Sequence, residues 1–249
     1  MKNISAGSAP GSRPGFLTAS YWRAAAGMLK DTRVLVFAAL ICALRVAVKA
    51  INIPLAANLE LSLDCYVNSL GSIVYGPVTA LLVGAVSDTL GCILFPSGAY
   101  FFPFIFVEMS SGFIFALFFW NRRITVTRSL VAKFTVNFVC NILLTSLIMK
   151  WQYAVLYGSE KTYNLVNLVR ICKNLILFPL EGMLIAVVFE RMLPILSRFG
   201  FKAVWDGQFR LEKKHRVLLL LLLLLAVALI LLYIFVLKDL ISANNIKLL

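Results

Sequence analysis

From Val217 to Leu237 the chain runs twenty-one residues without a charged side chain, most of them leucine. At about 1.5 Å per residue such a helix matches the roughly 30 Å hydrocarbon core of a bilayer, where the backbone must satisfy its own hydrogen bonds. The remainder of the sequence agrees with that solvent. Hydrophobic residues make up 61% of the 249 and charged residues only 14%, against about 25% charged in soluble domains. The expected fold class is an all-α integral membrane protein.

Apolar segments separated by Gly, Pro and basic punctuation predict six further spans. They run Val34 to Ile53, Leu61 to Tyr75, Val78 to Phe95, Phe102 to Trp120, Leu130 to Met149 and Leu165 to Phe189. Pro54 closes the first, Tyr75-Gly76-Pro77 makes a tight turn between the second and third, and Pro179 interrupts the sixth. Residues 1–30, rich in Ser, Gly, Pro and Ala, read as a flexible tail with no signal-peptide pattern. Residues 31–196 are then a six-helix membrane domain, 197–216 a basic linker, and 217–249 an additional transmembrane helix with a short tail.

Orientation follows from the basic residues. The formal net charge is +13, with 24 Lys and Arg against 11 Asp and Glu. Arg122, Arg123 and Arg128 lie between spans four and five, and seven more basic residues follow span six, on the same side as the basic tail. The opposite loops carry Lys150 and Lys161. The positive side faces the cytoplasm, so the amino terminus is expected there, and loops 54–60, 96–101 and 150–164 face outward. The surplus charge is matched to lipid headgroups rather than nucleic acid. Cys42, Cys65, Cys92, Cys140 and Cys172 sit in apolar stretches without metal-type spacing, implying neither disulfides nor zinc.

Ionisable groups inside spans are costly and mark functional sites. Arg45, Lys49, Asp64, Asn68, Asp88 and Glu108 fall in the outer halves of their spans, and Arg170, Lys173 and Asn174 share one helical face by their spacing. Facing one another across an outward cavity, under aromatic loops holding Tyr100, Phe101, Trp151, Tyr153 and Tyr157, they would suit a flat heteroaromatic ligand with an anionic tail. Structural ion pairs, such as Arg45 with Asp64 or Arg170 with Glu108, are the alternative. Ala39, Ala43 and Ala47 form a small-residue stripe open to close helix packing, within the bundle or against a partner.

The run Gly76-Pro77, then Gly84-Ala85-Val86-Ser87-Asp88-Thr89-Leu90-Gly91, then Leu94-Phe95-Pro96-Ser97-Gly98-Ala99-Tyr100-Phe101 resembles the S components of energy-coupling-factor (ECF) transporters, most closely the folate-type branch. The resemblance covers roughly Arg33 to Leu196 and implies a six-helix binding subunit that captures a vitamin from outside. It also implies association with a transmembrane coupling subunit and two ATPase subunits. The stripe Ala39, Ala43 and Ala47 would dock the coupling subunit, the loop Pro96 to Phe101 would cover the ligand, and Arg45 would lie near it. Leu59-Glu60-Leu61 departs from the basic residue that folate-type members tend to carry there, which leaves a hydroxymethylpyrimidine, thiamine or pyridoxine-like vitamin open.

Competing classes fit less well. The chain has no G-x-x-x-x-G-K-[ST] loop for ATP hydrolysis. Its one histidine, His215, lies in the basic stretch, so no Ser-His pair or histidine metal cluster can form in the membrane. No catalytic residue, metal or cofactor is expected, and the chain is read as a non-enzyme. A stand-alone secondary transporter is the remaining alternative, although no inverted repeat is evident.

Overall fold

A computed structural model describes residues 17–56, 59–96, 101–157, 168–201 and 213–232. The described residues are helical apart from one small hairpin and short connections. Helix α1 spans Ala19–Gly27 and leads through a short 3-10 turn into α2, Thr32–Lys49. Asp31 caps α2 by accepting a 2.9 Å hydrogen bond from the Arg33 backbone N–H. Antiparallel strands β1 (Asn52–Ala56) and β2 (Leu59–Ser62) join α2 to α3, Asp64–Leu94. Then come α4 (Ile105–Phe119), α5 (Val126–Val136), a π-helical segment (Asn137–Leu144), α6 (Thr145–Tyr157), α7 (Leu168–Arg198) and α8 (Lys213–Leu232).

Helix α3 is two arms folded back on each other. Asp64 bonds Arg45 while Asp88 bonds Lys49, one turn further along α2. In a straight helix those carboxylates would lie about 36 Å apart. The reversal is at Gly76, with φ 74° and ψ 179°, a region open essentially to glycine alone. A Cβ there would also lie 2.9 Å from the Trp120 ring. Gly76→Ala is therefore expected to cost about 1–3 kcal/mol, seen as a lower unfolding temperature of the detergent-purified protein.

Among the described residues, Phe102–Phe119, Val126–Val155 and Arg170–Arg198 are long and apolar enough to cross a membrane, Asp64–Leu94 has that length but reverses at Gly76, and Val217–Leu232 is a shorter apolar helix. The turn expected at Gly76-Pro77 is present. Phe115 and Phe119 of α4 stack at 5.9 Å, and Phe189 of α7 meets Phe119 edge-on at 5.1 Å, forming the core between α3, α4, α5 and α7. Leucines such as Leu40, Leu82 and Leu147 remain on the outside, as lipid-facing surface requires.

Several expectations need correction. Residues 19–30 do not belong to a flexible tail, because Tyr21 and Ala25, one turn apart, bury against Trp120. The outward loop expected at 54–60 holds paired strands, with Pro54 opposite Glu60. Residues 150–157 continue α6 rather than opening a loop. Pro179 does not interrupt its span, since α7 runs on through both Pro179 and Pro194, and the basic stretch therefore begins helical. Helix α8 packs on α7 through the buried Leu219 and Ala226. Tyr100 and residues 1–16 lie outside the described residues.

Candidate functional site

Five ionisable groups from α2, both arms of α3 and α4 close into one network. Arg45 Nε donates to Asp64 Oδ1 at 2.9 Å, and its Nη2 donates to Asp64 Oδ2 at 2.8 Å and Glu108 Oε2 at 2.6 Å. This two-pronged grip uses the planar fork that distinguishes arginine from lysine. Lys49 Nζ, one turn on, reaches Asp88 Oδ1 at 3.0 Å and Glu108 Oε1 at 3.4 Å. The Arg45 side chain is 0% exposed and that of Asp64 10%. Such charges persist in an apolar interior only when paired.

Glycines bring the helices close enough for this pairing. A Cβ on Gly84 would stand 2.9 Å from the Glu108 carbonyl, and one on Gly112 would stand 3.1 Å from the Ala80 carbonyl. Below the network, Asn68 Nδ2 donates to Ser111 Oγ at 3.0 Å, and Ser72 Oγ donates to the Gly112 carbonyl at 3.1 Å. Three buried polar atoms here lack partners among the described residues: Arg45 Nη1, Asn68 Oδ1 and the Tyr75 hydroxyl. They are the hydrogen-bonding capacity left over once the ions have paired.

A second polar cluster links α5, the π-helical segment and α7. Lys133 Nζ lies 3.2 Å from Glu181 Oε2, which also accepts from Asn137 Nδ2 at 2.9 Å. Asn141 Nδ2 donates to Asn137 Oδ1 at 3.2 Å and to Asn174 Oδ1 at 3.1 Å. Asn174 Nδ2 in turn donates to the Arg170 carbonyl at 2.9 Å. Lys133 also donates to Cys65 Sγ at 3.4 Å, so the two clusters adjoin through neighbouring residues of α3. A wholly apolar cavity of about 180 Å³ opens on the outer face of α5, the π-helical segment and α7, lined by Phe134, Phe138 and Phe178 and by apolar atoms of Asn137 and Asn174.

The expected single ring of charges is thus divided. Arg45, Lys49, Asp64 and Glu108 come together with Asp88, and Asn68 lies a turn away. Asn174 belongs to the second cluster, with Arg170 and Lys173 half-buried on the same helix. The charges of the first cluster meet each other directly rather than across a void, and Glu108 pairs with the two bases of α2. Phe101 packs edge-on against Trp151 at 5.5 Å, tying the segment before α4 to α6. Ala39, Ala43 and Ala47 lie on the exposed face of α2, beside Leu40 and Leu44.

Lys133, Asn137, Asn141 and Glu181 were not singled out in the sequence. The signal was available: Lys133, Asn137 and Asn141 recur every four residues inside an apolar run, placing them on one face.

Comparison with known proteins adds the following. The family model described as "ECF-type riboflavin transporter, S component" matches residues 30–196. A relative named "Folate transporter FolT" from Clostridium novyi is 30% identical over 117 residues, covering 47% of this chain and 64% of that protein's length. Another of the same name, from Leuconostoc mesenteroides subsp. mesenteroides, is 29% identical over 152 residues, covering 61% of this chain and 81% of that protein. Among solved structures, "Crystal structure of FolT bound with folic acid" matches with a TM-score of 0.53 and 26% identity, over 64% of this chain and 92% of that one. The family description and the relatives' names thus point to two different vitamins.

Proposed function

The chain belongs to the family of ECF-type transporter S components, and on that premise we propose that it captures folate or a related pterin from outside the cell for uptake powered by partner subunits. The observation that carries folate over riboflavin is the folic-acid-bound neighbour, 92% of which this chain covers. The two folate-named relatives support the same choice.

On this reading the ligand binds where the two clusters adjoin, at Asp64 and Cys65 of α3. The amides of Asn137, Asn141 and Asn174 are the neutral polar groups that would exchange their mutual hydrogen bonds for those of a pterin edge. Arg45 Nη1 and Asn68 Oδ1, buried and unpartnered, are satisfied from the α2 side by the ligand or its water. Asp64 and Glu108 hold Arg45 in place, and Lys49 holds Glu108. Arg170 and Lys173 sit near the start of α7, where they meet the ligand's carboxylates. Tyr100 and Phe101 cover the opening. The seventh, C-terminal helix anchors the chain in lipid beside this unit.

S components are a transporter class, and this one works by binding without chemistry. With the basic end facing the cytoplasm, the network and the β1–β2 hairpin face outward. The stripe Ala39, Ala43 and Ala47, exposed on α2, docks a transmembrane coupling subunit that is served by two ATPase subunits. Ala43→Trp is accordingly expected to abolish uptake by the assembled transporter while folate affinity of the isolated chain stays within about twofold. A matching loss of affinity would place the stripe inside the binding unit instead.

The function itself is tested by titrating the purified chain, without ATP, with folic acid and separately with riboflavin. Saturable binding of folic acid that riboflavin does not displace is expected. Tight riboflavin binding with none of folic acid would overturn the reading.

A further inference from the structure

Helix α8 lies beyond residues 30–196, the stretch matched by the family model, and it reshapes the surface of α7. It packs there through the buried Leu219 and Ala226, while the neighbouring Leu220 stays 58% exposed. The two helices touch along that line and part beside it. An open groove of about 660 Å³ results, walled by Met183 and Val187 of α7 and by Leu220 and Leu223 of α8. Its size falls in the range of about 300–1,000 Å³ usual for small-molecule sites. Glu190 and Arg191 complete the lining, so the groove is apolar toward the middle of α7 and carries both signs of charge toward its end.

Glu190 stands about 12 Å before the end of α7 at Arg198, by the rise of a helix. It is half-buried, and Arg191 beside it is exposed. The other described carboxylates within spans, Asp64, Asp88, Glu108 and Glu181, each hold a cation. Glu190 and Arg191 enter no ion pair among the described residues. A carboxylate against apolar walls near membrane depth is costly until a cation meets it. An apolar groove open to the bilayer takes an acyl chain, and the headgroup above that chain must here match an anion and a cation side by side. A phosphoethanolamine headgroup does so. Its ammonium N–H groups donate to the Glu190 carboxylate, and its phosphate oxygens accept from the Arg191 guanidinium. Phosphatidylcholine keeps the phosphate, but its quaternary nitrogen has no N–H to donate. Phosphatidylglycerol carries no cation and leaves Glu190 unmatched. The site thus selects for the amine and not for net negative charge.

We infer that the groove between α7 and α8 is a binding site for one phosphatidylethanolamine molecule, with an acyl chain along Val187 and Leu220 and the headgroup between Glu190 and Arg191. The test places the full chain in nanodiscs of phosphatidylethanolamine, phosphatidylcholine and phosphatidylglycerol in equal parts with matched acyl chains. Native mass spectrometry after release from the disc identifies the lipid that stays bound. Phosphatidylethanolamine is expected to be retained about tenfold over phosphatidylcholine, the worth of a hydrogen bond to a charged group, and over phosphatidylglycerol as well. Glu190→Gln keeps the side-chain shape and is expected to bring phosphatidylethanolamine down to the phosphatidylcholine level, at an unchanged unfolding temperature. Leu220→Trp fills the groove from an exposed position without altering charge, and is expected to remove the preference too. Equal retention of the two zwitterionic lipids, or strongest retention of phosphatidylglycerol, would overturn the assignment. So would a preference for phosphatidylethanolamine that survives either variant.

Discussion

Arg45→Met is expected to destabilise the protein by about 3–5 kcal/mol, the cost typical of removing one partner from a buried ion pair. Methionine fills much of the arginine's volume but leaves Asp64 and Glu108 facing each other in an apolar interior, where Arg45 held both within 2.8 Å. Lys49 offsets part of the Glu108 charge at 3.4 Å and does nothing comparable for Asp64. The loss is therefore dominated by Asp64, and the double variant Arg45→Met/Asp64→Leu is expected to recover a large part of it. Thermal unfolding without ligand reads this directly. Were Arg45 held mainly as a ligand contact, the single variant would lose folate binding while unfolding at an unchanged temperature.

Lys133→Met is expected to cost a similar amount, about 3–5 kcal/mol, and to act on the ligand as well. Its side chain is 3% exposed and that of its partner Glu181 11%, so water cannot solvate the carboxylate left behind. Asn137 holds the same Glu181 oxygen at 2.9 Å, and Asn141 hangs on Asn137 and Asn174. Loss of the ammonium frees Glu181 to draw Asn137 away, loosening the amide series. Folate affinity is expected to fall by roughly tenfold or more, the equivalent of one or two hydrogen bonds. Glu181→Gln, which keeps an acceptor for Asn137, is expected to be milder on binding. Titration of both variants with folic acid at a temperature where each is folded checks the order.

What the sequence made legible divides along physical lines. Charges within apolar runs had to find partners, so Arg45, Lys49, Asp64 and Glu108 could be grouped by depth before any coordinates existed. Their pairing into a closed network could not, because depth says nothing about which side of a helix faces which neighbour. The Gly76-Pro77 reversal was readable since a glycine followed by proline between two apolar runs has few alternatives. Helix α1, though rich in alanine, was hidden by its shortness and by the Ser-, Gly- and Pro-rich run before it, and it is fixed by Trp120, a residue about a hundred positions away. The β1–β2 hairpin was obscured by Pro54, which suits an edge strand as well as a helix end. Pro179 read as a break, yet neighbouring helices hold α7 continuous through it, as membrane helices allow. The π-helical segment at Asn137–Leu144 leaves no mark in composition, since it is a shift of backbone hydrogen-bond register. Such segments recur at functional sites, and here it carries Asn137 and Asn141 into the cluster with Glu181 and Asn174.

Both vitamins named by the comparisons are flat heteroaromatics, and only their masses and tails separate them cleanly. Native mass spectrometry of the chain purified from cells grown with both, and then incubated with folic acid, settles which one it holds. The account expects a single bound molecule with the mass of folate or a reduced or pterin derivative of it. A bound mass equal to riboflavin, or protein that stays empty after folic acid is added, would contradict it.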